Sequence, residues 1–222
     1  GGLWLSQSID SLLKDTQNFL DQGFRSMKIR VGSTNWKNDV ERVKEVRNAI
    51  GPDIELMADI NQALEPKQAI QLGKELEEYD LLWLEEPVAS NNRVGHAEVR
   101  SALATPIASG ENEYSLSGMH EMIEAKACDI LMPDLQRIGG ISEMRKVANL
   151  AESYNLPIST HIFTEHSLSV AGSVTNCLSV EHMPWFSKLF NEQIDVINGY
   201  IDIPERPGTG FTFNDTYIKL IN

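Results

Sequence analysis

The 222 residues carry a formal net charge of −13, with 41% hydrophobic side chains and 15 glycines. This suits one large globular domain with its own core, and the lack of any basic cluster argues against nucleic acid or an anionic membrane surface as a partner. No apolar run approaches the ~20 residues of a membrane span. The opening Gly1-Gly2-Leu3-Trp4 has no charged segment of a secretory signal, so a cytoplasmic location is expected. Cys128 and Cys177 sit in apolar surroundings without metal-type spacing and read as reduced core residues.

In chain order, Ser6 to Gln22 has helical periodicity and stops at Gly23, and Phe24 to Val31 reads as a strand. A helix over Asn38 to Ile50 stops at Gly51-Pro52, followed by a strand at 54–59 and a helix from about Glu65 to Tyr79. Leu81 to Glu85 is a strand ending in two acids and Pro87, and a short helix precedes Thr105-Pro106. A strand at 106–111, a helix over 115–125, a strand from Asp129 to Pro133 and a helix from Gly139-Gly140 to Tyr154 come next. Pro157 to Ile162 and Leu178 to Glu181 read as strands flanking a helix over 165–176.

Strand and helix alternate in even units with polar residues at nearly every strand end. That is the pattern of a TIM (β/α) barrel more than of a doubly wound sheet. Seven strands are readable, and 222 residues are somewhat short of the ~250 typical of a full barrel. The first strand is expected to precede Gly1. Residues 1–186 are assigned to the barrel. The tail, 187–222, breaks the pattern, and short strands are expected at Tyr200–Pro204 and 210–213.

The chemistry concentrates at the strand ends. Asp59, Glu85 and Glu111 are separated by 26 residues each, one strand-plus-helix unit, so equivalent positions on three strands would aim three carboxylates at one centre. Any one of them alone is more simply a loop acid or helix cap. Together they suggest an all-oxygen divalent site, favouring Mg2+ over zinc or copper. Asp134 and His161 end the next two strands and can pair as an oriented base. Glu181 ends the last strand, close to the first ones in a barrel. Lys28 and Arg30 share one face of their strand. Two inward cations are costly without an anionic ligand, the plainer reading being long side chains reaching the rim. Glu86 is expected on the opposite face from Glu85 in a structural role, His96 and His120 at the surface, and His182 directed away from the centre.

Lys28-Ile29-Arg30, Asp59 with Asn61, Leu84-Glu85-Glu86-Pro87, Gly110-Glu111-Asn112, Pro133-Asp134 with Gly139-Gly140, Thr160-His161-Ile162-Phe163 and Glu181 together resemble the enolase superfamily, and its mandelate racemase subgroup in particular. The resemblance spans essentially the whole chain. It implies a Mg2+ ion held by Asp59, Glu85 and Glu111, removal of the proton alpha to a substrate carboxylate, and stabilisation of the enediolate by the metal, a chemistry described for enolase-superfamily sites generally. His161, oriented by Asp134, acts on one face and the Lys-x-Lys motif on the other. Glu181 donates a hydrogen bond to the carboxylate, with Lys28 and Asn61 beside it. The resemblance also implies a capping domain before the barrel, against which the tail packs, and a homo-oligomer at full length.

The sequence departs from the motif at Arg30, where the family's second lysine is the base. Arginine keeps its proton to a pKa above ~12. A racemase needs an acid–base group on each face, whereas His161 alone can take the alpha proton and protonate a departing hydroxyl. Dehydration of a sugar acid is therefore expected. Racemisation or epimerisation of a 2-hydroxy acid is the alternative within the family, and a non-catalytic metal- and ligand-binding barrel the alternative outside it. A phosphate-binding barrel would want a Gly-rich loop after the last strands, and none is present.

Overall fold

The computed structural model describes residues 2–218. The repeating unit is a short buried strand followed by an amphipathic helix. Helix α1 (Ile9–Asp21) is capped by the Ser8 side chain and leads to β1 (Ser26–Arg30), α2 (Trp36–Ile50) and β2 (Glu55–Asp59). Helix α3 (Pro66–Leu76) starts with proline and a Glu65/Gln68 capping box, and one tighter turn carries it to Tyr79. Then come β3 (Leu84–Glu85), α4 (Arg93–Ala102), β4 (Ile107–Ser109), α5 (Leu116–Glu124), β5 (Ile130–Leu131), α6 (Leu135–Ile138), α7 (Ile141–Ser153), β6 (Ile158–Thr160), α8 (Thr164–Ala171) and β7 (Cys177–Val180).

The seven strands form one parallel sheet in sequence order, β1 through β7, with each strand bonded only to its chain neighbours. It is a partial TIM barrel. Leu3 adds a single parallel bridge to Ile29, so the opening segment runs beside β1. Two helix-side clusters cover the outer face, one around Leu56, Val46 and Leu72 and one around Met144, Val147 and Leu131. Met57, Trp83, Ala108, Ile130 and Met132 fill the inner face. Each such fully buried large side chain contributes about 1.5–3 kcal/mol.

The Gly139-Gly140 pair opens α7, as expected, and also closes a short helix that precedes it. Gly139 at φ +104° ends the four-residue α6, and α7 begins at Ile141. Helix α8 ends at Ala171, earlier than expected, where the tail's Ile203 side chain lies against Gly172. The strands expected in the tail do not form. Among the described residues Ile197–Tyr200 and Phe190–Phe213 make only isolated bridges, because Pro204 and Pro207 lack donors and Gly208 and Gly210, both at positive φ, turn the chain after them. The tail still docks. Phe190 is buried under Phe213 and Phe211, and the Gly199 amide donates to the Gly23 carbonyl ahead of β1 (2.7 Å). Positions 219–222 of the tail lie outside the described residues.

Candidate active site

All seven strands deliver a titratable side chain to the same end of the sheet. Register explains two groups of them. Arg30 pairs with Asp59 and Asp59 with Glu85, one row across β1–β3. Asp134 bridges His161, and Thr160 pairs with Val180, which sets His161 and Glu181 in a second row. Glu111 belongs to neither. Glu85 pairs with Ala108, so Glu111 stands three residues beyond the equivalent position despite its equal spacing in sequence. Gly110, at φ +132° and packed against the Met132 amide, makes the turn that brings it back. The expectation of equivalent strand positions therefore holds for two of the three acids.

Lys28, Arg30, Asp59, Glu111, His161 and Glu181 line a small cleft, open at its mouth beside Trp4 and Trp185. Glu85 and Asp134 are buried just behind it. Asp134 caps α6, its Oδ1 accepting from the amides of Gln136 (2.8 Å) and Arg137 (2.9 Å). Its Oδ2 lies 2.7 Å from His161 Nδ1, which assigns the imidazole proton to Nδ1 and leaves Nε2 facing the cleft. Nε2 is 3.2 Å from Glu111 Oε2 and 4.0 Å from Glu181 Oε2. Burial alone would lower His161, but the hydrogen bond to Asp134 and the charges of Glu111 and Glu181 hold it above its ordinary value. Burial likewise acts to raise Asp134, and the His161 and Arg137 hydrogen bonds outweigh it, keeping Asp134 below the carboxylate range.

Lys28 joins the two rows. Its ammonium is hydrogen-bonded to Glu85 and lies 3.0 Å from Glu181 Oε1. Burial opposes the charged form, yet Glu85, Glu181 and Asp59 hold its pKa above that of a free lysine. Burial also works to neutralise Glu181, but Lys28 and His161 keep it ionised, well below the usual carboxylate range. Glu181 also accepts from the Ile162 amide (3.3 Å). Burial raises Glu85 against the attraction of Lys28, and its Oε2 accepts from Trp83 Nε1 (2.9 Å). Arg30 lies 3.3 Å from Asp59 and over the Trp4 ring. Because Glu85 and Asp59 are turned toward these cations, no three His, Cys, Asp or Glu side chains among the described residues stand close enough to enclose a metal ion as placed.

Of the remaining sequence candidates, Asn61 is exposed and reaches the site only through its backbone amide, bonded to Asp59 Oδ1 (2.7 Å). His120 is exposed at the surface as expected. His96 is not. It is fully buried between Asn92 O and Ser109 Oγ, because the inward face of α4 needs a side chain that can bond both. Both cysteines are free, Cys128 buried and Cys177 partly so. Three further residues complete the site, of which Arg137 alone went unread in the sequence. Asn112 bonds both Glu86 and Glu111. Arg137 donates to the Glu111 carbonyl (2.9 Å) and lies 3.5 Å from its carboxylate. Glu86, assigned to the outer face, is buried among the acids. The Arg three after Asp134 was the available signal.

A parallel (β/α) sheet with its acids, histidine and lysine gathered at the C-terminal rim defines a barrel domain of the TIM class. Residues 11–217 match the enolase C-terminal domain-like family, and the chain belongs to that family, in the mandelate racemase branch of the enolase superfamily. The L-talarate/galactarate dehydratase of Salmonella typhimurium is 34% identical over 96% of this chain and 54% of its own length. The D-xylonate dehydratase of Haloferax volcanii is 38% identical over 79% of this chain and 45% of its own. The crystal structure of L-talarate dehydratase from Polaromonas sp. JS666, complexed with Mg and L-glucarate, superposes with a TM-score of 0.94 at 34% identity, covering 97% of this chain and 60% of that one. Cycloisomerases and epimerases also match. The chain spans about half the length of the curated relatives it matches. No helix among the described residues is long and apolar enough to cross a membrane.

Proposed function

We propose that this chain is the barrel of a Mg2+-dependent sugar-acid dehydratase, which removes the proton alpha to a carboxylate and expels the beta-hydroxyl as water to give a 2-keto-3-deoxy acid. Residues 1–186 form the catalytic barrel in this reading, and 187–222 pack on it and on a capping domain. The observation that carries it is the asymmetry of the cleft. One face has an oriented histidine, His161 on Asp134 (2.7 Å). The other has Arg30, a guanidinium held 3.3 Å from Asp59 and unsuited to act as a base.

The residues fit a hard divalent cation. Asp59, Glu85 and Glu111 offer only oxygen donors, all are buried, and the neighbouring Glu86 Oε1 is a buried acceptor without a partner. Bound Mg2+ supplies charge neutralisation for the substrate carboxylate as negative charge builds on it. The chain's own groups do the rest. Lys28 and Arg30 draw the anionic substrate into the cleft. Asp134 keeps the His161 proton on Nδ1, so Nε2 accepts the proton from Cα. The same Nε2–H then protonates the beta-hydroxyl as the Cβ–O bond breaks, releasing water, and the enol product tautomerises to the keto acid. Glu181 holds Lys28 in line.

The test is to incubate the full-length protein with Mg2+ and a panel of aldonic and aldaric acids and to assay 2-keto acid as its semicarbazone. One or more acids should yield product, and His161→Asn should lower kcat by about 10²–10⁴-fold. Inversion of a 2-hydroxy acid without loss of water would point to a racemase and overturn the reading.

A further inference from the structure

Glu86 is the second acid of the Glu85-Glu86-Pro87 run. Alternation along a strand would send it to the face opposite Glu85. A backbone φ of +40° breaks that alternation. The side chain is fully buried. Asn112 Nδ2 lies 2.9 Å from Glu86 Oε2 and 3.2 Å from Glu111 Oε1, so one amide ties the two carboxylates together. The remaining oxygen, Oε1, is buried without a hydrogen-bond partner.

This is an unfavourable arrangement for a carboxylate. It sets a fourth carboxyl group beside Asp59, Glu85 and Glu111 and leaves one buried oxygen unsatisfied. A glutamine would fill the same space, remove the acid and offer an N–H to the facing acids. A carboxylate is preferable only if something positive and hydrogen-donating completes the cluster, and a hydrated divalent cation is both.

We propose that Glu86 is a positioning residue for the divalent cation: through Asn112 it fixes the Glu111 carboxylate, and its Oε1 receives a donor that the hydrated cation carries. The inference rests on the reading of Asp59, Glu85 and Glu111 as ligands given above. Residues that orient ligands in this way typically govern metal affinity by about 10–100-fold.

The test uses Mn2+ as the probe, with the 222-residue chain, free Mn2+ read by electron paramagnetic resonance and affinity by titration calorimetry. The wild type should bind one Mn2+. Glu86→Gln and Asn112→Ala should each weaken binding about 10–100-fold and change the bound-Mn2+ line shape. The double variant should lose little more than either single one, because the two residues act through each other. If the wild type binds Mn2+ and Glu86→Gln binds it equally well, Glu86 is structural and this inference falls while the reading of the three ligands stands. If the wild type binds no Mn2+, that reading falls and takes this one with it. A purely structural Glu86 would shift the melting temperature in chelator and leave Mn2+ affinity unchanged. Should Glu86→Gln fail to fold by circular dichroism, Asn112→Ala decides, and unchanged affinity there overturns the proposal.

Discussion

The two rows of the site occupy the same architectural position, the C-terminal ends of parallel strands, yet their charges are balanced in different ways. In the row on β1–β3, Asp59 and Glu85 are countered by long cationic side chains from β1, Arg30 and Lys28. In the row after β5–β7, Asp134 is countered at short range, by two backbone amides of α6 and by His161. A helix N-terminus directly after a strand finishes a carboxylate with main-chain donors. A strand end followed by a loop must borrow a side chain from across the barrel. The first kind of balance is local and rigid. The second can be exchanged for another cation, which is what a metal-binding wall requires.

Lys28 is where the contrast is most easily broken, since it neutralises Glu85 in one row and Glu181 in the other. Lys28→Met leaves buried acids without their cation and should destabilise the metal-free chain by about 3–5 kcal/mol in urea unfolding. A loss below ~1 kcal/mol would mean that the two rows are not coupled through it. Asp134→Asn tests the local balance. It should cost about 1.5–3 kcal/mol through the weakened cap and imidazole bond, and the His161 pKa measured by NMR should fall. An unchanged His161 titration would show that Asp134 does not set its charge.

The smallest effect is a pH dependence confined to the second row. His161 is held above its ordinary value in the folded chain. Its contribution to stability is therefore complete below the unfolded pKa of about 6.5 and is lost as pH rises through the higher folded value. In chelator, the melting temperature of the wild type minus that of His161→Asn should fall across that window. A flat difference would remove the charge coupling between His161 and the acids around it.

The barrel alternation was legible because each buried strand is a short apolar run closed by a polar residue, and the seven units followed from that alone. Asp59 and Glu85 were legible at equivalent strand ends for the same reason, and Lys28 and Arg30 as sharing a face, whereas the row that joins Arg30 to the two acids is a matter of register. Glu111 was found by a spacing that does not correspond to register, since its place depends on the turn at Gly110 and not on pairing with Glu85. Glu86 was misplaced because strand alternation assumes extended backbone, and its φ is left-handed. His96 was misread because nothing in a polar ten-residue helix announces which side chain will meet Ser109. The tail's lack of strands follows from missing donors at its prolines, whereas its docking depends on contacts distant in sequence, which no local pattern encodes.

The bond from the Gly199 amide to the Gly23 carbonyl has a consequence for how the molecule folds. Nearest-neighbour pairing lets the sheet grow one unit at a time with short loops to close. The tail contact instead joins positions near opposite ends of the chain. Its closure entropy grows only as the logarithm of loop length, but the contact has no surface to meet until the units at both ends exist. It therefore forms late, contributing little to the folding rate and more to slow unfolding. The tail acts as a latch set after assembly, and its removal should appear first as a faster unfolding limb.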